Sequence, residues 1–151
     1  MRTFTYDAAL LLKDSVAVTA GTVGKVGGAN KIFDTGFVAG GPPSLFKGVA
    51  VIDITAIKTT TGDELYTILI QGSNSATFAS GVENLAVLDI GASAPRLGTG
   101  SVLSGPGRYE LIFQNEQADV QYQYLRTYTN TAGTLPSITH TLFVGRDFLA
   151  T

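Results

Sequence analysis

The motif whose residue types most directly suggest catalysis is Asp34-Thr35-Gly36, which follows the apolar pair Ile32-Phe33. An aspartate held in such a turn can hydrolyse a peptide when a second carboxylate lies within hydrogen-bond distance and shares its proton. One carboxylate then activates water while the other donates a proton to the substrate. Because the chain has a single Asp-Thr-Gly, the second carboxylate would have to come from another copy of the chain.

That arrangement resembles the retroviral-type dimeric aspartic proteases, in which a Gly-Arg-Asp segment near the C-terminus braces the site. Gly145-Arg146-Asp147 would be that segment here. The chain departs from the family because Phe37 replaces a small Ala or Ser, and because the two motifs lie much farther apart. Three-residue motifs also arise by chance, and Asp-Thr-Gly is common at the end of a strand. We therefore favour an ordinary strand end at Asp34 and keep the protease as an alternative.

Other polar residues give no pattern specific to a reaction. His140 is the only histidine and lies among apolar residues, so we predict a strand histidine with a local hydrogen bond in place of a triad or a metal ligand. For the acidic pair Asp63-Glu64, solvation in a loop is favoured over weak calcium binding. The chain has no cysteine, which removes disulfides and thiol chemistry. We predict no catalytic group, no metal and no cofactor.

Composition limits the class of protein. The 151 residues are 44% hydrophobic and only 15% charged, against about 25% charged in an average domain. A surface so poor in charge is expected to be covered in part by a partner. The net charge is -2 and there is no basic run, so neither nucleic acid nor an anionic membrane is expected as a partner. The apolar run Ala8–Leu12 is too short for a signal-peptide core or a membrane span.

Alternation of residue types predicts strands throughout the chain. In "VQYQYLRTYT" the side chains of Val120, Tyr122, Tyr124, Arg126 and Tyr128 fall on one face of a single long strand. Aromatic residues with few charges suit a buried patch, so we favour a subunit interface here over a surface that stacks sugars or bases.

The remaining strand signals indicate the fold class. "GVAVIDITAIK" and "ELYTILIQ" are joined by the polar loop at 59–63, which suits a hairpin. The segment "GTVGKVGG" at 21–28 is read as a flexible loop, because it lacks the ending of a phosphate-binding loop. Further strands are predicted at Val16–Thr19, Lys31–Asp34, Leu85–Ile90, Tyr109–Gln114 and Ile138–Val144. About eight strands separated by turns predict an all-β jelly roll or β-sandwich forming a single domain over residues 1–151.

The order of these elements resembles a family of small head proteins of tailed bacteriophages. In "YDAALLLKDSVAVTAGTVGKVGGANKIFDTGF" the matching residues are Leu11–Asp14, Ala17–Ala20 and Ile32–Gly36. "YTILIQGSNSATFASGVENLAVLDIG" is similar to the family's central strand, loop and return strand, and "YQYLRTYTNTAGTLPSITHTLFVG" to its closing pair. The family is that of capsid cement, or decoration, proteins, such as the one of a short-tailed Bordetella phage. The resemblance covers nearly the whole chain.

The resemblance implies a non-enzymatic jelly-roll subunit that forms a homotrimer on the outer surface of the capsid. There it would bind the major capsid protein and stabilise the contacts between its copies, after synthesis in the cytoplasm of the bacterial host. The family's Asp-x-Gly has no catalytic role. Residues 42–46 and the glycine-rich segment at 21–28 depart from the family pattern, and these segments are candidates for contact with the capsid.

Predicted contact residues fall in three groups, for each of which ordinary packing is the alternative. An N-terminal arm, a Pro/Gly loop and the tyrosine strand supply them: Arg2, Phe4 and Tyr6; Phe37, Leu45 and Phe46; Tyr122, Tyr124, Arg126 and Tyr128. The alternative functions are the dimeric protease and a carbohydrate-binding jelly roll of a phage tail.

Overall fold

Two antiparallel sheets form the framework of the computed structural model, which describes residues 6–36, 41–92 and 104–146. Sheet I contains β1 (Leu11–Lys13), β2 (Ala17–Val18), β7 (Lys47–Ile57), β10 (Gly107–Gln114) and β14 (Ile138–Arg146). Sheet II contains β3 (Thr22–Val23), β6 (Phe33–Asp34), β8 (Leu65–Ser73), β9 (Glu83–Gly91) and β13 (Tyr124–Ala132). Two small hairpins pair β4 (Lys25–Val26) with β5 (Ala29–Asn30), and β11 (Glu116–Gln117) with β12 (Val120–Gln121). A 3-10 turn at Ala8–Leu10 precedes β1.

The order of the strands is that of a jelly roll. Sheet I runs β1-β14-β7-β10 and sheet II runs β3-β13-β8-β9, with β2 and β6 added to β14 and β13. Counted along the eight principal strands, these orders are 1-8-3-6 and 2-7-4-5, the double Greek key of the jelly roll. The fold class predicted from the alternation of residue types is thereby confirmed.

The predicted hairpin between β7 and β8 is wrong, although both strands are present. β7 pairs with β10 and β14, whereas β8 pairs with β9 and β13. The polar connection at residues 58–64 therefore crosses from one sheet to the other. Turn residues between two alternating segments predict that the chain reverses direction there. They do not predict which sheet the next strand joins.

The core lies between the two sheets and is built from every second residue of their strands. On β7 the side chains of Ala50, Ile52 and Ile54 point inward, and on β8 those of Ile68 and Ile70 meet them. All five are buried, and each fully buried isoleucine contributes about 1.5–3 kcal/mol relative to an exposed one. The interior between the sheets thus supplies the main stabilisation of the sandwich.

The outer side of sheet I carries a second, smaller apolar cluster. Val49, Val51 and Phe143 are buried there, with Leu11 packed against them. The ring of Tyr6 meets the ring of Phe143 edge to face, with centroids 5.5 Å apart. The chain before β1 therefore packs over its own sheet, which explains why β7 is apolar on both faces up to Ile52.

The glycine-rich segment at 21–28, predicted as a flexible loop, contains ordered pairing. β3 adds to the edge of sheet II through Tyr128 and Thr129 of β13. Gly24 lies so close to β1 and β13 that an added Cβ would stand 2.4 Å from the carbonyl oxygen of Leu12. The glycine is there because the backbones pack too closely for any side chain.

Candidate binding surfaces

The Asp34-Thr35-Gly36 motif ends β6 and forms a hydrogen-bonded turn. The Asp34 carboxylate accepts from the backbone N–H of Gly36 at 2.8 Å and from the side-chain amide of Gln123 at 3.0 Å. The backbone N–H and the hydroxyl of Thr35 both donate to the carbonyl oxygen of Gln123 at 2.8 Å. The side chains of Asp34 and Thr35 therefore fasten the strand end to the segment that leads into β13.

The second half of the protease pattern lies in the other sheet. Gly145 and Arg146 end β14, where they face Val49 and Gly48 of β7, while Asp34 faces Tyr124 in sheet II. The two motifs share no backbone pairing in the part of the chain that the structure describes. Asp147 lies outside the described residues.

The predicted tyrosine strand is present, but it begins later than predicted. Tyr124, Arg126 and Tyr128 are half-buried on the outer face of β13, whereas Leu125 and Thr127 are buried on the inner face. Val120 and Gln121 belong to the separate hairpin strand β12. The alternation is confirmed from residue 124 onward.

Tyr122 lies in the interior and not on the predicted contact face. Its backbone N–H donates to the carbonyl oxygen of Asn115 at 2.7 Å, and its carbonyl oxygen accepts from the Asn115 side chain at 2.8 Å. Its ring packs beside Gly72, where an added Cβ would stand 2.9 Å from the Tyr122 Cβ. The chain leaves β12 and turns inward at this point, which interrupts the alternation.

Phe46 also lies in the core, so the prediction that it is an exposed contact residue is wrong. It is buried, and its ring centroid is 5.4 Å from that of Phe33 and 6.0 Å from that of Phe113. Its backbone N–H donates to Asn115 Oδ1 at 2.7 Å. Its neighbour Leu45 is exposed, as predicted for this loop.

Of the other predicted contact residues, the structure describes Tyr6. Tyr6 is exposed while its ring contacts Phe143 of its own subunit. Arg2, Phe4 and Phe37 lie outside the described residues.

An apolar row crosses the outer face of sheet II. Tyr128 of β13 lies opposite Val23 of β3 on one side and Leu69 of β8 on the other, and Leu69 lies opposite Val87 of β9. Residues directly opposite in antiparallel strands point to the same face, so these four side chains stand next to one another. Val87 is 48% exposed. We call Val23, Tyr128, Leu69 and Val87 the apolar row.

A polar row runs beside the apolar row. Arg126 Nε donates to Gln71 Oε1 at 3.0 Å, and Gln71 Nε2 donates to Asn84 Oδ1 at 3.0 Å. The Arg126 guanidinium also lies over the ring of Phe78, 4.3 Å from its centroid, a cation–π contact. Phe78 adopts a left-handed backbone conformation with φ 55°. The loop that carries Phe78 thus holds Arg126 in a fixed position on the outer face.

Sequence reasoning missed two buried charged residues. Lys13, at the end of β1, is buried, and its ammonium donates to the carbonyl oxygens of Asp14, Val16 and His140 at 2.7–3.0 Å. Glu64, predicted to be solvated, is buried as well. Burial alone would raise its pKa, but hydrogen bonds from the backbone N–H groups of Thr61 and Gly62 lower it to about 2. Neither environment is visible in the sequence, since backbone groups supply most of the partners, with the Lys58 ammonium 3.9 Å from the Glu64 carboxylate.

His140 is a fully buried strand histidine, in agreement with the prediction. Its Nε2 lies 3.3 Å from the hydroxyl of Thr129, and its Nδ1 has no partner in the described residues. Burial, reinforced by the nearby charge of Lys13, lowers the pKa of His140 to about 3. No three His, Cys, Asp or Glu side chains in the described ranges come together as a metal site.

Stability is expected to fall as the pH drops below 6.5 because of His140. The unfolded chain takes up a proton near the ordinary pKa of 6.5, whereas the folded chain does so only near 3. Folding is therefore opposed by about 1.4 kcal/mol per pH unit within that window. Urea unfolding at pH 7, 6 and 5 measures this slope, and His140→Gln is expected to flatten it. An equal slope in the variant would contradict the assignment to His140.

Comparisons with known proteins identify no family. No family model matches the chain, and no curated protein matches it. Among solved structures, the chain is similar to the CBM22-1 and GH10 modules of endo-1,4-β-D-xylanase 10B from Clostridium thermocellum, in complex with xylohexaose. The identity is 14% and the TM-score 0.35, over 72% of this chain and 18% of that one. A similarity at this level carries no inference about function.

No helix among the described residues is long and apolar enough to cross a membrane.

Proposed function

We propose that this chain is a cement protein of a bacteriophage virion, which binds the outer surface of the head as a homotrimer and stabilises contacts between major capsid proteins. Its motifs resemble that family over nearly the whole chain, from Leu11–Asp14 to the closing pair of strands. The jelly roll is the fold that the resemblance implies.

The observation that carries the proposal is the outer face of sheet II. The apolar row extends across all four principal strands, and beside it the polar side chains are already hydrogen-bonded to one another. On its other side, Thr67 donates to the Asp89 carboxylate at 2.7 Å. An apolar centre between polar margins is typical of a subunit interface.

Arg126 supports the same conclusion. Arginine and tyrosine are enriched among the residues that carry binding energy at interfaces. Here the guanidinium is positioned by Gln71 and Phe78 before any partner binds. A side chain ordered in advance loses little conformational entropy on association. We therefore place the trimer contact on this face.

A protein of this kind can act on a shell by mass action. A ligand that binds the assembled shell and not free capsid subunits shifts the equilibrium toward the shell. A trimer that bridges several capsid proteins adds modest contacts at each site, and linkage of those sites raises the overall avidity. The low charge of the chain, 15% of residues, suits a surface that is covered on several sides.

Binding to shells tests the proposal. Heads assembled without this protein are mixed with the purified chain and sedimented, with bovine serum albumin as the control for trapping. Saturable co-sedimentation, in a ratio that is a multiple of three chains per binding position, is the expected result. A chain that stays in the supernatant at every concentration would contradict the function.

A further inference from the structure

Leu135, in the loop between β13 and β14, combines two features that the fold itself does not need. Its backbone is left-handed, with φ 47°, and the residue is 79% exposed. Glycine or asparagine adopts this conformation readily, whereas leucine is strained there. A large apolar side chain in water contributes nothing to the core. Strain and exposure at one residue therefore point to a function outside the subunit.

The conformation of the loop is fixed by groups from the connection between β7 and β8. The Lys58 ammonium donates to the carbonyl oxygens of Thr134 and Leu135 at 3.1 and 2.9 Å. The Asp63 carboxylate accepts from the Thr134 hydroxyl at 2.7 Å and from its backbone N–H at 3.0 Å. These bonds from Thr134 lower the pKa of Asp63. The loop is held in place before any partner arrives.

We propose that Leu135 is a pre-ordered apolar anchor that inserts into an apolar recess on the surface of the capsid shell. The proposal rests on the cement function above and adds to it the site of attachment. Because the loop is already ordered, the anchor loses little entropy on binding. It also gives a reason for a leucine at a position whose backbone asparagine or glycine would fit better.

The anchor is too small to join two copies of this chain, so we expect its partner to be the shell. A stable interface between two proteins buries about 1,200–2,000 Å², far more than one leucine can supply. A shell presents the same recess many times, and a trimer would place three anchors on it at once. Small contacts of this kind reach useful avidity only through such repetition.

Variants at Leu135 test the anchor with shells that lack the protein. Leu135→Gly and Leu135→Asn remove the apolar side chain and suit the left-handed backbone, so each is expected to keep or raise the melting temperature. Their apparent affinity for shells is expected to fall about tenfold or more, since a buried apolar anchor is removed. Leu135→Met keeps an apolar side chain and is expected to bind within about twofold of wild type.

The control is Ile112→Thr on the outer face of β10. Ile112 is a large apolar residue that is 64% exposed, and it lies away from the loop between β13 and β14. If wild type binds shells and Leu135→Gly and Leu135→Asn bind equally well, the anchor is wrong and the cement function stands. If the wild-type chain does not bind shells, both the anchor and the cement function are contradicted. A lower melting temperature in both Leu135 variants would overturn the argument from strain.

Discussion

Replacing Asn115 with alanine is expected to lower the free energy of unfolding by about 3–5 kcal/mol, because three backbone groups lose the buried amide that is their hydrogen-bond partner. The Asn115 side chain is fully buried. Its Oδ1 accepts from the backbone N–H of Phe46 at 2.7 Å, and its Nδ2 donates to the carbonyl oxygens of Ser44 and Tyr122 at 2.8 Å. One amide thus joins the segment before β7, the end of β10 and the segment before β13.

Urea unfolding monitored by circular dichroism measures this change, with Asn84→Ala as the matched control. Asn84 is exposed and makes one side-chain hydrogen bond, to Gln71. Its loss is expected to cost less than about 0.5 kcal/mol. If Asn115→Ala shifts the urea midpoint no more than the control does, Asn115 does not join the three segments as described.

Replacing Val87 with lysine is expected to convert the proposed trimer into monomers without unfolding the subunit. Val87 is 48% exposed in the isolated chain, so the subunit has room for a lysine. In a trimer joined through the apolar row, the ammonium would be buried without a partner. An unpaired charge in an interface costs about 2–5 kcal/mol, which weakens association by more than tenfold at each contact.

Light scattering measures the result, and Ile112→Lys is the control on the outer face of sheet I. Wild type and Ile112→Lys are expected near three times 15.8 kDa, and Val87→Lys near 15.8 kDa. A trimer in all three proteins would place the interface elsewhere. A wild-type monomer at concentrations well above the micromolar range would contradict trimer formation in solution.

Alternation in the sequence was sufficient to predict most of the framework. β7, β8, β9, β10 and β14 lie where period-2 patterns of apolar residues predict strands. Such a pattern is strong when one face of a strand is buried and the other is wet. The order of the strands agrees with the jelly roll that the turn spacing and the family resemblance predicted.

Features that depend on one residue meeting a distant backbone could not be predicted. Asn115 and Lys13 are polar residues in the sequence, yet both are buried because carbonyl groups from other segments bind them. Tyr122 continues an alternating pattern in the sequence but is buried, because the chain leaves the β11–β12 hairpin and turns inward before β13 begins. Strain at Leu135 is likewise a property of the backbone that residue type does not reveal.

The central claim is that this protein strengthens a phage head, and the thermal stability of heads tests it most directly. Heads assembled without the protein are heated alone, with the wild-type chain and with Leu135→Gly, while DNA release is followed by a dye that heads exclude. The account predicts that wild type raises the temperature of release by several degrees and that Leu135→Gly does so less at equal concentration. Heads that bind the wild-type chain at saturation and release DNA at an unchanged temperature would contradict the cement function.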